Sequence, residues 1–213
     1  MNLGDRFRFC AGLLLTSSLS FLFLSAPASD GSLRISRRKP LTANVGLVSV
    51  GLDSYWKQCP GLLDDMKRKE DVFARKVEAH QVKVTRFGMS DNPQSAKAMI
   101  PAMKAADLDI LFVDMVTYAT SSTFAPFVRE LNVPIVLFAL QPDDRLDYEH
   151  ATIYRQLLND DLCSVPEFTG VAIRYGKPVA DAVIGKLTGD ARTHRGQSLT
   201  HRGQSLIELI GNS

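Results

Sequence analysis

The sequence is poor in the residues that usually announce a chemistry. Its 213 residues include three cysteines, Cys10, Cys59 and Cys163, no two of them close together. No C-x-x-C occurs, which excludes a disulfide framework and a cysteine-based zinc site. Pairing of Cys59 with Cys163 stays open and needs their Cα atoms within roughly 7 Å. There is one tryptophan, Trp56. No G-x-G-x-x-G follows the first apolar run, which continues as Val50-Gly51-Leu52-Asp53-Ser54-Tyr55, so a dinucleotide-binding turn is missing. P-loop and G-x-S-x-G motifs are missing too. Charge is nearly balanced, 25 Lys and Arg against 23 Asp and Glu, a net +2. That makes no electrostatic case for nucleic acid.

What is present is a hydrophobic fraction of 45%, enough for one well-buried domain with tails. At the N-terminus Arg6 and Arg8 precede an apolar run from Cys10 to Ala26, followed by Ala26-Pro27-Ala28. A charged start, an apolar middle and small residues at the end describe a secretory leader over 1–28. The run is short for a membrane span, which needs about 20 residues, so no span is expected in the mature chain. A start placed too far upstream gives the same pattern. The first reading implies a secreted or periplasmic protein, the second a cytoplasmic one. Residues 29–43 form a polar linker with a basic cluster at Arg37, Arg38 and Lys39.

From Asn44 a regular alternation begins. Val45 to Val50 reads as a strand buried on both faces. Asp53 to His80 reads as helical, with Leu62, Met66, Phe73 and Val77 on the inner face. The mixed charges from Asp64 to Asp71 are then expected on the wet face. Val82, Val84 and Phe87 mark a strand near the sheet edge. Ser90-Asp91-Asn92-Pro93 is a helix start, followed by the stripe Ala96, Met99, Ile100 and Met103. Ile110 to Val113 is a third strand, and Ser121 to Leu131 a helix with Phe124, Phe127, Val128 and Leu131 inward. Val133 to Leu140 is a fourth strand. Asp147 to Leu158 and Val165 to Tyr175 read as helices, and Lys177 to Ile184 as a fifth strand. The prediction is an α/β, doubly wound parallel sheet of Rossmann or flavodoxin-like type. It is one domain, 44–187, with flexible tails. The tail, 188–213, repeats Thr193 to Leu199 without change as Thr200 to Leu206. Two copies are too few for a solenoid.

In such a sheet the ligand lies beyond the carboxyl ends of the strands. Those ends are Gly51 to Gln58, Gly88 to Asn92, Asp114 to Ser122 and Gln141 to Asp147, all polar enough for a polyol. Other candidates are few. Asp143, Asp147 and His150 read as a metal cluster or as a helix N-terminus where carboxylates suit the dipole. Asp160, Asp161 and Glu167 read as helix-end and surface residues rather than an acid–base pair. His80 reads as a surface residue opening a strand.

Several segments, in order, resemble the N-terminal domain of the L-arabinose/L-fucose isomerase family. They are Val50 to Gln58, Val113 to Ser121, Val133 to Pro142 (similar to the family's N-x-P-hydrophobic-Q signature), Leu146-Asp147-Tyr148, Asn159-Asp160-Asp161 and Val165 to Gly170. The resemblance runs from about Val45 to Lys186. It implies an aldose–ketose isomerase, an intramolecular oxidoreductase of carbohydrate metabolism, in which a divalent metal such as Mn²⁺ orients two sugar oxygens. The family's metal-binding glutamates and histidines belong to later domains and have no counterpart here, so no catalytic or metal residue is assigned. The chain is expected to be inactive alone and to work with a missing C-terminal half or as a homo-oligomer. By position, Gln141, Thr117, Tyr118, Tyr55 and Trp56 match sugar-pocket walls. Two other readings stand beside it: an exported sugar-binding protein, and a stand-alone α/β interaction module. A binding protein should hold sugar without metal, whereas a bare isomerase wall should not.

Overall fold

The computed structural model describes residues 42–188 and 191–193. The leader, all but the end of the linker, and the tail apart from residues 188 and 191–193 lie outside the described residues, as does the heptapeptide repeat beyond Thr193. The described part is one α/β unit. Its elements are β1 (Asn44–Val50), α1 (Asp53–Gln58), α2 (Leu62–Glu78), β2 (Lys83–Ser90), α3 (Pro93–Ala105), β3 (Ile110–Met115), α4 (Ser121–Glu130), β4 (Ile135–Gln141), α5 (Ile153–Leu158), α6 (Val165–Arg174), β5 (Asp181–Lys186) and β6 (Ala191–Thr193).

The sheet order is β2-β1-β3-β4-β5-β6. The first five strands are parallel, and the short β6 pairs antiparallel to β5. This is the doubly wound, flavodoxin-like order, which reverses direction between β1 and β3. β6 falls in the segment expected to be a structureless tail, and it pairs because β5 would otherwise end the sheet with open backbone groups.

Successive strand residues serve opposite faces. Val48, Val50, Leu111, Val113, Met115, Leu137 and Ala139 pack with α3, α4 and α6. Val45, Leu47, Ile110, Phe112, Val136 and Phe138 pack with Phe73, Ala74 and Val77 of α2. A third cluster joins Cys59, Leu62, Met66, Val116 and Leu157 above the strand ends. The expected inward stripes of α2 and α4 are buried. Asn92 caps α3 through a reciprocal capping box with Ser95, and Pro93 opens the helix, because the cap satisfies backbone donors that the first turn leaves unpaired.

Four expectations need correction. The strand-end loop expected over Gly51 to Gln58 contains a short helix of its own, α1, separate from α2 because Pro60 cannot continue α1 and Gly61 takes a left-handed φ of 89° ahead of α2. The helix expected from Asp147 begins only at Ile153, since Asp147 folds back to accept from the backbone of Glu149 at 3.2 Å. β5 starts at Asp181, not Lys177; Lys177 instead donates its Nζ to the Leu131 carbonyl at 2.8 Å. His80 lies in the turn closing α2, half-buried, three residues before β2.

Candidate functional site at the carboxyl rim of the sheet

The rim is organised by three strand ends. After β1, Gly51 lets the indole of Trp56 lie against the backbone. A Cβ there would sit 2.9 Å from Trp56 Cζ2 and 3.2 Å from Thr117 Oγ1. Trp56 Nε1 donates to Asp91 Oδ2 at 2.8 Å, so the ring ties the end of β1 to the end of β2. After β3, Thr117 is fully buried and gives its hydroxyl to the carbonyl of Tyr118 at 3.0 Å. The Tyr118 amide donates to Asp160 Oδ2 at 3.3 Å. The Ser164 hydroxyl accepts from the amide of Ala119 at 2.7 Å and donates to its carbonyl at 2.8 Å. After β4, Gln141 Nε2 donates to the carbonyl of Asn159 at 2.8 Å. The turn Asn159–Asp160 thus binds the ends of β3 and β4 together.

Over this turn sits a polar and aromatic cluster. Burial raises the Tyr55 phenol above its ordinary range, and the charges of Asp160, Cys163 and Tyr118 push it further. Tyr118 is raised first by the neighbouring Glu167 carboxylate, which also hydrogen-bonds it. Burial and Asp160 raise the Cys163 thiol. Burial raises Asp160, opposed by the Tyr118 amide and by a hydrogen bond from Cys163. At neutral pH both phenols keep their protons, that of Tyr118 facing the Glu167 carboxylate, and the thiol is not an activated nucleophile. Glu167 accepts from the Ser121 amide at 2.7 Å and from the Ser121 hydroxyl, filling the N-terminus of α4, where a carboxylate suits the helix dipole. The rim thus presents aromatic planes, phenols and carboxylates side by side.

Of the five residues matched to pocket walls, Tyr55 and Tyr118 come together around Asp160. Gln141 joins the same turn from the far side. Trp56 faces Asp91, and the Thr117 hydroxyl is turned to its own backbone. Asp160, Cys163 and Glu167 are rim residues that the sequence reading set aside. Cys59 and Cys163 are both free thiols, the first buried and the second exposed.

The Asp143–Asp147–His150 metal reading is not supported. Asp147 Oδ2 lies 2.9 Å from His150 Nδ1, but Asp143 turns away to Arg155 at 2.5 Å and to Asn159 at 2.8 Å. Among the described residues no group of three or more His, Cys, Asp or Glu is placed to hold a metal ion. The described residues thus offer no ligand set for the Mn²⁺ that the resemblance implies. Among the described residues no helix is long and apolar enough to cross a membrane.

Beneath the rim lies a second polar group, and here the sequence reading is overturned. Lys69, Glu70 and Asp161 were placed on the surface, yet their exposures are 4%, 9% and 0%. Lys69 Nζ pairs with Asp161 Oδ1. The Ser49 hydroxyl lies 3.1 Å from Glu70 Oε2 and 3.5 Å from Asp114 Oδ2. Ser49 and Asp114 are neighbours across β1 and β3. Burial lifts Asp114 to about 7, partly offset by Lys69, and lifts Asp161 to about 7 against the pull of the same lysine. Glu70 is also raised, first by burial. Asp114 Oδ1 and Asp161 Oδ2 are buried without a hydrogen-bond partner.

No protein-family model matches the chain, and a search of curated proteins finds no match.

Proposed function

We propose that this domain is the sugar-facing wall of a metal-dependent aldose–ketose isomerase of the L-arabinose/L-fucose type, with the metal chemistry supplied by residues outside those described. The observation that carries the reading is the gathering of Tyr55, Tyr118 and Gln141 on the Asn159–Asp160 turn at the carboxyl ends of the strands. A ligand in this fold class sits at that edge, beside the point where the strand order reverses. Polyols are held by aromatic faces and by paired donors and acceptors, all of which the cluster offers. In this role the domain orients sugar hydroxyls and excludes water, and does not itself move the proton between carbons.

The test is a titration of the ¹⁵N-labelled chain with L-arabinose and L-fucose. A wall predicts small, non-saturating shifts confined to residues 55–56, 117–121, 141 and 159–163, with affinity no tighter than about millimolar. Shifts elsewhere, or none, would refute a sugar-facing rim. Saturable micromolar binding without metal would replace the wall with a sugar-binding protein.

A further inference from the structure

We propose that Ser49, Glu70 and Asp114 form a buried proton-holding layer that locks α2 and the turn at Asn159–Asp161 against the strand ends while it keeps its proton, and loosens that turn when the proton leaves. As a control on ligand binding this rests on the polyol reading of the rim; as a conformational device it does not.

The first support is a count of charges. The layer holds three carboxylates, Glu70, Asp114 and Asp161, and one ammonium, Lys69, all buried. Lys69 pairs directly with Asp161, which leaves Glu70 and Asp114 without a cation of their own. Around them, β1 presents only the Ser49 hydroxyl and β3 only Asp114. α2 adds Lys67 and Asp71 at a distance from Glu70. β2 presents Arg86, but its guanidinium is engaged by Asp71 at 2.7 Å and Glu78 at 3.0 Å. From the turn before α6 comes Asp160, whose carboxyl Lys69 pulls down against the effect of burial. Two buried carboxylates facing each other across one hydroxyl do not both ionise without a large cost.

The second support is the hydrogen inventory. A serine hydroxyl has one proton to donate, and Ser49 stands between two carboxylates. It satisfies one of them. The other contact is a hydrogen bond only if that carboxyl brings its own proton and donates to Ser49 Oγ. The chain Asp114–Ser49–Glu70 is therefore complete with one extra proton and incomplete without it. Asp114 Oδ1, buried and unpartnered, fits a neutral carboxyl better than a carboxylate.

The third support is the path to the rim. Asp161 is joined to Asp160, whose carboxylate holds the Tyr118 amide, and lies two residues from Asn159, whose carbonyl holds Gln141. With the shared proton present the layer carries one net negative charge, since Lys69 cancels Asp161 and one of the other two carboxyls is neutral. When the proton passes to solvent the net charge becomes two negative. Lys69 is then drawn toward Asp114, and its hold on Asp161 weakens.

The experiment is amide hydrogen exchange on the full chain without ligand, between about pH 5 and pH 8, corrected for the intrinsic pH dependence of exchange. The wild-type turn at 157–161 and the strand end at 117–119 should lose about tenfold or more of their protection across that range, while α3 and α4 stay unchanged. Asp114→Asn, which matches the neutral carboxyl in shape, should hold protection constant. Equal protection of the wild-type turn at both ends of the range overturns the proposal, and so does an Asp114→Asn variant that loses protection as the wild type does. If that variant does not fold, ¹³C titration of the wild-type carboxyls decides. Asp114 or Glu70 should change ionisation together with the loss of protection, and titration of both in the ordinary carboxylate range overturns it. No sugar is present, so failure of the rim to bind sugar leaves the result intact.

Discussion

On the face covered by α3, α4 and α6, an unbroken apolar cluster runs from Val48 through Phe124 and Phe168 to Ala182. On the face covered by α2 the apolar contact is interrupted. Leu62 and Met66 belong to one cluster, Phe73, Ala74 and Val77 to another, and Lys69 and Glu70 lie between them, buried against Ser49, Asp114 and Asp161. One face is held by contacts indifferent to pH. The other is held partly by protons and charge pairs. The same sheet therefore has a permanent side and a conditional side, and the conditional part lies directly beneath the turn that organises the rim.

The largest effect expected is on the permanent side. Phe124 and Phe168 stack with ring centroids 4.4 Å apart and an interplanar angle of 6°, both fully buried. Phe168→Ala should cost about 4 kcal/mol from lost contact and the cavity left behind. Urea unfolding should give nearly the same loss at acid and at neutral pH. Lys69→Met comes next, at about 3 kcal/mol near pH 8, because it leaves Asp161 and its neighbours as uncompensated buried charges. That loss should shrink toward pH 5. Asp114 is held up to about 7 and Glu70 is raised by burial, so each binds its proton more tightly folded than unfolded. The stability they contribute is complete below about pH 4 and is lost as pH rises to about 7. If the Lys69→Met loss were the same at both pH values, the two faces would not differ in kind.

The permanent side was the legible one. Phe124, Phe127, Val128 and Leu131 recur at helical spacing, and Ile110 to Val113 is a plain apolar run, so local pattern was enough to place them. Lys69 and Glu70 were misread because Asp64 to Asp71 is locally indistinguishable from a solvated face. What makes them internal is long-range: Asp161 lies 92 positions from Lys69, and Ser49 meets Asp114 only through the β1–β3 register. The rim was half legible. Tyr55 and Tyr118 follow strands and so had to lie at the carboxyl edge. Asp160 and Glu167 were in view, but their acceptor roles depend on the amides of Tyr118 and Ser121, more than forty positions away. Backbone partners of that kind leave no mark in sequence pattern.

Glu167 tests the boundary between the two regions from the permanent side. It is carried by α6 but accepts from Ser121 at the start of α4. Glu167→Ala should cost about 2 kcal/mol, the range of hydrogen bonds to a charged group. It should also lower the Tyr118 phenol toward its ordinary value, because Glu167 is the main cause of its rise. Ultraviolet titration of the tyrosines reads the second effect. A stable variant with an unmoved tyrosine titration would mean that Glu167 does not organise the rim.

The smallest change is the finest probe of the conditional side. Ser49→Ala removes one hydroxyl and leaves the strand pairing untouched. Ser49 lowers the carboxyls of both Glu70 and Asp114 against the much larger effect of burial. Without it both carboxyls rise further, so the folded state resists ionisation more strongly and the stability lost with rising pH increases. The cost should be about 1 kcal/mol near pH 8 and less at pH 5, because Ser49 favours the ionised carboxyls and its loss is felt most where they ionise. Paired urea midpoints at the two pH values measure it. A loss that is the same at the two pH values would mean that Ser49 does not set the ionisation of the layer.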